Sequence, residues 1–250
     1  MIFSESEIQQ FVTDGYVILR GGFSAEIAEK GRDHVCAHAG VDPDDPSSWS
    51  RDFIHIQDTF SDGPFAEILN DRILGAVDEL AGTGRAFVHG LFGWWPLLFP
   101  GFEGPGGWHI DGSSFHHYLR SRHQALVTLY LFTDIEPGDG GTALFRGSHH
   151  EIARIREAAE PDGLSFDQVM ERLPEIDLDR HVEVTGRAGD VAFLHPFLIH
   201  GFGANRGSKV RVACNPQYPF HTEMDLDRPD GDHSPVEEAI RVALGWNAAT

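Results

Sequence analysis

Cysteine is scarce in this sequence: Cys36 and Cys214 are the only two among 250 residues, and no paired spacing joins them to a disulfide framework. Basic side chains are scarce too. Nineteen Lys and Arg stand against thirty-nine Asp and Glu, a formal charge of -20 that repels phosphate backbones and anionic membrane surfaces. Nucleic acid is therefore not an expected partner. Long hydrophobic runs are missing: the longest apolar stretch, GLFGWWPLLFPGF, is broken by Gly and Pro and is too short to cross a bilayer. The opening MIFSESEIQQF has neither the basic start nor the apolar core of a secretory signal. The expectation is a cytoplasmic protein with reduced thiols and no membrane partner.

Hydrophobic residues make up 41% of the chain and charged ones 23%, an ordinary balance for a folded protein with a sizeable core. All-β barrels and sandwiches often use this length as one domain, and no repeat, low-complexity tract or linker divides it, so residues 1–250 are read as one domain. Ser4 and Glu7 form a capping-box pattern ahead of a short helix. GYVILRGGF then reads as a strand, and SAEIAEKGRDHVCAHAG as a helix opened by Ser24 and closed by Gly40. Residues 41–64 are rich in Asp, Pro and Ser and read as a long loop holding one strand, DFIHIQD. GPFAEILNDRILGAVDELAGTG returns to helical spacing, with Ile68, Leu69, Ile73, Leu74, Val77 and Leu80 on one side.

From about residue 85 to 218 the character changes to short β-rich runs separated by Gly, Pro, Asp and Asn, among them RAFVHGLFGWW, HQALVTLYLFTDI, GTALFRGSHH and KVRVACNPQY. One helical insert over 151–173, of mixed charge, reads as a solvated cover. SPVEEAIRVALGW reads as a last helix, with Ser234 as cap and Pro235 in its first turn. Helices first and a β core afterwards predict an α+β fold: a jelly-roll-like, cupin-like barrel with N-terminal and flanking helices.

Fifteen histidines is a high count, and most are expected to be surface or hydrogen-bonded core residues. His109 and Asp111, in GGWHIDGSSFHH, lie two apart; in an extended segment such residues project to one face, so both can reach one ion. About ninety residues downstream, GDVAFLHPFLIHGFGANRGSKVRVAC offers His195 and His200. Five apart, they face opposite sides of a regular strand, so at most one joins the site unless Pro196 breaks the strand. Arg211 favours His200. It follows by 11 residues, after a turn signalled by Gly203, Asn205 and Gly207, and a hairpin brings its carboxylate-matching guanidinium fork to the same neighbourhood.

The order His-x-Asp, then GSH, then HPFLIHG with Asn and Arg five and eleven residues past its second His, resembles the phytanoyl-CoA dioxygenase family of iron(II)- and 2-oxoglutarate-dependent oxygenases. The opening GYVILRGGFSAEIAE is also similar to that family, and the resemblance runs from roughly residue 8 to 218. It implies a double-stranded β-helix in which His109, Asp111 and His200 bind iron(II) as a two-His-one-carboxylate triad, leaving three positions open. Arg211 would clamp the distal carboxylate of 2-oxoglutarate while the keto acid end chelates the metal. Thr128 and Tyr130, in ALVTLYLF, are expected to add co-substrate contacts. The implied reaction consumes O2, releases succinate and CO2, and oxidises a small organic substrate. Related halogenases carry a small residue where Asp111 stands, so hydroxylation, desaturation or ring chemistry is expected instead.

Trp94, Trp95, Phe115 and His116 are the candidate substrate contacts. FGWWPLLFPGF is either core filling or a hydrophobic lid, and Phe115, His116 and His117 follow Asp111 closely enough to line an opening. His149 is expected to hold a structural hydrogen bond and His195 to pack rather than ligate. The acidic chain has no Lys/Arg cluster for the phosphates of a CoA thioester, which favours a smaller molecule such as an amino acid derivative or natural-product intermediate. Two alternatives stand beside this reading. A cupin-like metalloenzyme could use the same triad without 2-oxoglutarate, and Arg211 would then have no carboxylate to clamp. A non-catalytic jelly-roll binding module would need a closed structural metal, whereas this triad supplies only three ligands. The sequence sets no oligomeric state.

Overall fold

The computed structural model describes residues 1–246; the last four residues of the single domain read from the sequence lie outside them. At the start, the Glu7 carboxylate accepts from the Ser4 backbone N–H at 2.8 Å while Ser4 caps the Glu7 N–H, closing the capping box of α1 (Glu5–Asp14). Gly15, at φ 87°, ends that helix and turns the chain into β1 (Tyr16–Leu19). Ser24 caps α2 (Ala25–His38), which closes at Ala39, one residue ahead of Gly40. β2 (Phe53–Ile56) follows. The single helix expected over 63–84 is two pieces, because the Asn70 side chain accepts from the Arg72 and Ile73 N–H groups and starts a new helix there. A short 3₁₀ turn, Gly63–Glu67, precedes it, and α3 (Asp71–Ala81) buries Ile73, Val77 and Leu80.

The β core comprises β3 (Trp95–Leu98), β4 (Gly106–His109), β5 (Leu126–Leu131), β6 (Thr142–Phe145), then α4 (Ser148–Glu157), α5 (Phe166–Met170), β7 (His181–Glu183), β8 (Val191–Leu194), β9 (His200–Phe202), β10 (Ala213–Cys214) and β11 (Gln217–Tyr218). α6 (Pro235–Leu244) closes the order. RAFVHGLFGWW, expected to be β-rich, makes only isolated bridges at Ala86 and Phe92 before β3 begins. The strands form two antiparallel sheets. One runs β1-β8-β5-β10 with β11 also on β5, the other β4-β9-β6-β7, and β2 pairs with β3. Val127, Leu129, Leu131, Ala192 and Leu194 of the first sheet meet Leu144 of the second in a shared cluster, so the sheets pack face to face as a double-stranded β-helix. The first sheet's other face, with Val17, Tyr130 and Phe193, packs on a larger cluster that includes Phe11, Val35, Val77 and Ile240 from the helices. β5 is thus buried along its whole length.

The insert between β6 and β7 departs from the expected solvated cover. It is two helices, and α4 buries Ile152, Ala153 and Arg156 while packing on α6. Arg156 lies over the Phe197 ring, 3.8 Å from its centroid, and donates to His117 Nδ1 at 2.7 Å. Among the described residues no helix is long and apolar enough to cross a membrane.

Candidate active site

β4 and β9 pair with His109 opposite His200, which sets the two imidazoles side by side, 4.5 Å between ring centroids. The close approach depends on Gly201. A Cβ there would fall 2.4 Å from the Gly106 carbonyl oxygen, so any larger residue would push the two strands apart. The chain bends after β4 and brings Asp111 back between the rings: Oδ1 lies 3.6 Å from His109 Nε2 and Oδ2 lies 3.5 Å from His200 Nε2. One ligand atom from each residue lies within 4.8 Å of the others.

The hydrogen bonds behind the rings decide what faces the centre. His109 Nδ1 donates to the Gly107 carbonyl at 2.6 Å and His200 Nδ1 to the Leu198 carbonyl at 3.0 Å, so each neutral ring turns an Nε2 lone pair inward. Burial disfavours the charged form of both imidazoles; it wins at His200, whose pKa falls, while at His109 the neighbouring carboxylate outweighs it and the pKa rises. Burial also resists ionisation of Asp111, but in the metal-free site the two imidazoles, when they carry a proton on Nε2, hold its carboxyl below the ordinary value. Asp111 Oδ2 and His200 Nε2 are buried and have no hydrogen-bond partner. Two inward acceptors without a donor cost free energy that a divalent cation removes, and two nitrogens with one carboxylate oxygen suit iron(II). The residues fit a metal.

Arg211 sits just before β10, bridged to Leu98 across the barrel mouth, and is 3% exposed. Its Nη2 donates to Thr142 Oγ1 at 2.6 Å and its Nη1 to the Pro96 carbonyl at 3.1 Å, while Nε has no partner. Among the described residues no carboxylate forms an ion pair with it, and burial pulls its pKa down to about 10. One cavity of about 520 Å³ is lined by His109, Asp111 and His200 and also by Arg211. A metal set and an unpaired buried guanidinium thus share one enclosure.

The other predicted residues divide. Thr128 and Tyr130 are not brought to the cavity: the pleat of β5 turns them to the helix-covered face, where Thr128 Oγ1 donates to the Pro216 carbonyl at 2.6 Å and Tyr130 shares a 2.8 Å hydrogen bond with the Tyr218 hydroxyl. Leu129, between them, lines the cavity. Trp94 lines it too, but Trp95 is fully buried among Phe60, Phe65 and Phe132. Phe115 stacks on His123, 4.7 Å between centroids, and His116 is bonded to the Asp162 carbonyl at 3.0 Å, so neither reaches the cavity wall. Both His195 nitrogens are engaged, with the Val236 carbonyl and the Phe197 N–H, and His149 Nε2 is bonded to the Val12 carbonyl at 3.0 Å. Sequence reasoning missed Thr142, Gln217 and Phe166 on the wall. Gln124 donates to Gln217 Oε1 at 3.0 Å, which leaves the Gln217 amide N–H groups free of that bond. Thr142 was findable as the polar residue opening an otherwise apolar strand, TALF.

Two face-to-face antiparallel sheets enclosing a two-histidine, one-carboxylate set beside a buried arginine define a double-stranded β-helix oxygenase. The chain belongs to the phytanoyl-CoA dioxygenase (PhyH) family of iron(II)- and 2-oxoglutarate-dependent oxygenases, whose family model matches residues 11–213. It is 26% identical over 227 residues to ectoine dioxygenase of Stutzerimonas stutzeri (strain A1501), covering 79% of this chain and 70% of that one. Among solved structures it is similar to EvdO2 from Micromonospora carbonacea var. aurantiaca complexed with 2-oxoglutarate, at TM-score 0.57 and 16% identity over 92% of this chain and 95% of that one. HygX from Streptomyces hygroscopicus with nickel and 2-oxoglutarate bound matches at TM-score 0.54 and 20% identity, over 89% and 90%. At these identities the two structures speak to the fold.

Proposed function

We propose that His109, Asp111 and His200 hold iron(II), that Arg211 receives the distal carboxylate of 2-oxoglutarate, and that the enzyme hydroxylates or otherwise oxidises a small organic substrate in the cytoplasm. The observation that carries this is the pair of buried, unpartnered acceptors, Asp111 Oδ2 and His200 Nε2, in one cavity with a buried cation that has no acidic partner among the described residues. When bound, iron(II) with 2-oxoglutarate and O2 supplies oxidation of a C–H bond coupled to release of succinate and CO2.

The protein's part is positioning and electrostatics. The Gly107 and Leu198 carbonyls hold the two rings with Nε2 inward. Thr142 and the Pro96 carbonyl aim the Arg211 fork, which leaves Nε for the incoming carboxylate. Low local dielectric strengthens that contact. The Asp111 carboxylate fills the ligand position that halogenation would need vacated, which favours hydroxylation. Anaerobic calorimetric titration with iron(II) tests the metal assignment: one ion per chain is expected, with affinity lowered about 100-fold or more in His200→Ala. Unchanged binding by that variant would place the ion elsewhere.

A further inference from the structure

The cavity wall carries chemistry that a metal and 2-oxoglutarate do not use. With Asp111 on the metal and Arg211 on a carboxylate, no permanently charged side chain remains on the wall, which continues through His55, Ser113, Ser114, Phe166, Asn215 and Trp94. A cavity of about 520 Å³ has room for a second small molecule beside 2-oxoglutarate.

Trp94 is the unusual member. Among the described residues it is the one non-glycine with positive φ, at 57°, a backbone state that bulky side chains disfavour. The residue is 53% exposed, and its ring leans on the His55 imidazole, 5.5 Å between centroids and 33° between planes. Core packing does not explain it, since the neighbouring Trp95 supplies the buried ring. A strained backbone that holds an aromatic face at a cavity wall is suited to stacking on a ligand. Burial pulls the pKa of His55 below the usual histidine value, which disfavours its charged form. A charged ligand would meet no counter-ion there.

We infer, resting on the 2-oxoglutarate reading above, that the substrate is an uncharged small molecule whose flat ring lies on Trp94 and whose hydroxyl or carbonyl groups meet Ser113, Ser114 and Asn215. This narrows the sequence-based expectation, which included amino acid derivatives, to neutral ring compounds.

The test uses anaerobic enzyme loaded with iron(II) and 2-oxoglutarate, with its visible charge-transfer band recorded first. Three probes share one ring and differ in charge: 2-naphthalenemethanol, 2-naphthoate and 2-naphthylmethylammonium, each measured by equilibrium dialysis. The neutral alcohol is expected to bind about tenfold or more tightly than either charged probe, and Trp94→Gly to weaken it about tenfold with the band retained and the melting temperature not lowered. A charged probe that binds as well as the alcohol overturns the inference. So does a Trp94→Gly variant that binds the alcohol like wild type, or a wild type that shows the band and binds no alcohol. No band in the wild type overturns the 2-oxoglutarate reading itself, and this inference with it.

Discussion

Arg211→Met separates stability from function at one residue. The guanidinium is 3% exposed, leaves Nε without a partner, and pairs with no acid among the described residues. Burial draws its pKa from 12.5 to about 10, which at 1.36 kcal/mol per pKa unit disfavours the charged form by about 3 kcal/mol in the ligand-free protein. Opposing this are the hydrogen bonds to Thr142 and the Pro96 carbonyl, worth about 1 kcal/mol each. Methionine fills similar space without charge. The substitution is therefore expected to raise metal-free stability by about 1 kcal/mol, or about 2–4 °C in Tm for a chain of this size. It is expected to weaken 2-oxoglutarate by about 2–5 kcal/mol, since one partner of a buried charge pair is lost. Scanning calorimetry of the metal-free protein reads the first effect, and with zinc(II), with and without 2-oxoglutarate, the second: the metal-free variant melts higher than wild type, and the co-substrate stabilises the zinc-loaded wild type while the variant does not respond. A variant that melts well below wild type and is still stabilised by 2-oxoglutarate would refute the reasoning.

Gly201→Ala places a methyl group 2.4 Å from the Gly106 carbonyl, so β4 must move off β9 and carry His109 with it. Iron(II) affinity is expected to fall about 10–100-fold while the far-ultraviolet circular dichroism stays near wild type; wild-type affinity in iron titration contradicts the strand-spacing account. Three buried histidines predict acid sensitivity. Burial lowers the pKa of His117 to about 4 and of His195 to about 3, and holds His149 well below the usual value. Because each folded pKa lies below the unfolded value of about 6.5, the unfolded chain takes up protons first. The stability contributed is full above that value and falls as pH drops toward 4 and 3, by up to about 1.4 kcal/mol per pH unit for each histidine. Urea unfolding at pH 7.5 and 5.5 checks this, and equal stabilities at the two values would contradict it.

The parts legible in the sequence are those written as local chemistry. Ser4 with Glu7, Ser24 and Ser234 mark helix starts through bonds to their own neighbours, and each caps a helix in the structure. His109, Asp111, His200 and Arg211 could be collected because their spacing is a motif, and the fold brings all four to one cavity. The misses lie where a side chain's direction depends on what packs above and below. β5 is covered on both faces, so its apolar run has no period-two contrast to tell Leu129 from Thr128 and Tyr130. Trp94 and Trp95 are neighbours in sequence, and the positive φ of Trp94 sends one ring to the cavity and the other to the core. Arg156 reads as one more charge on an exposed helix, and only the tertiary structure places it over Phe197 beside His117.

The most direct measurement is anaerobic titration of the metal-free protein with iron(II) and then 2-oxoglutarate, following the weak visible charge-transfer absorption of an iron-chelated keto acid, in wild type, Asp111→Ala and Arg211→Ala. A band in the wild type that is weakened or lost in both variants is the predicted result. Iron(II) bound with no band on adding 2-oxoglutarate would contradict it and point to a cupin-like metalloenzyme that does without the co-substrate.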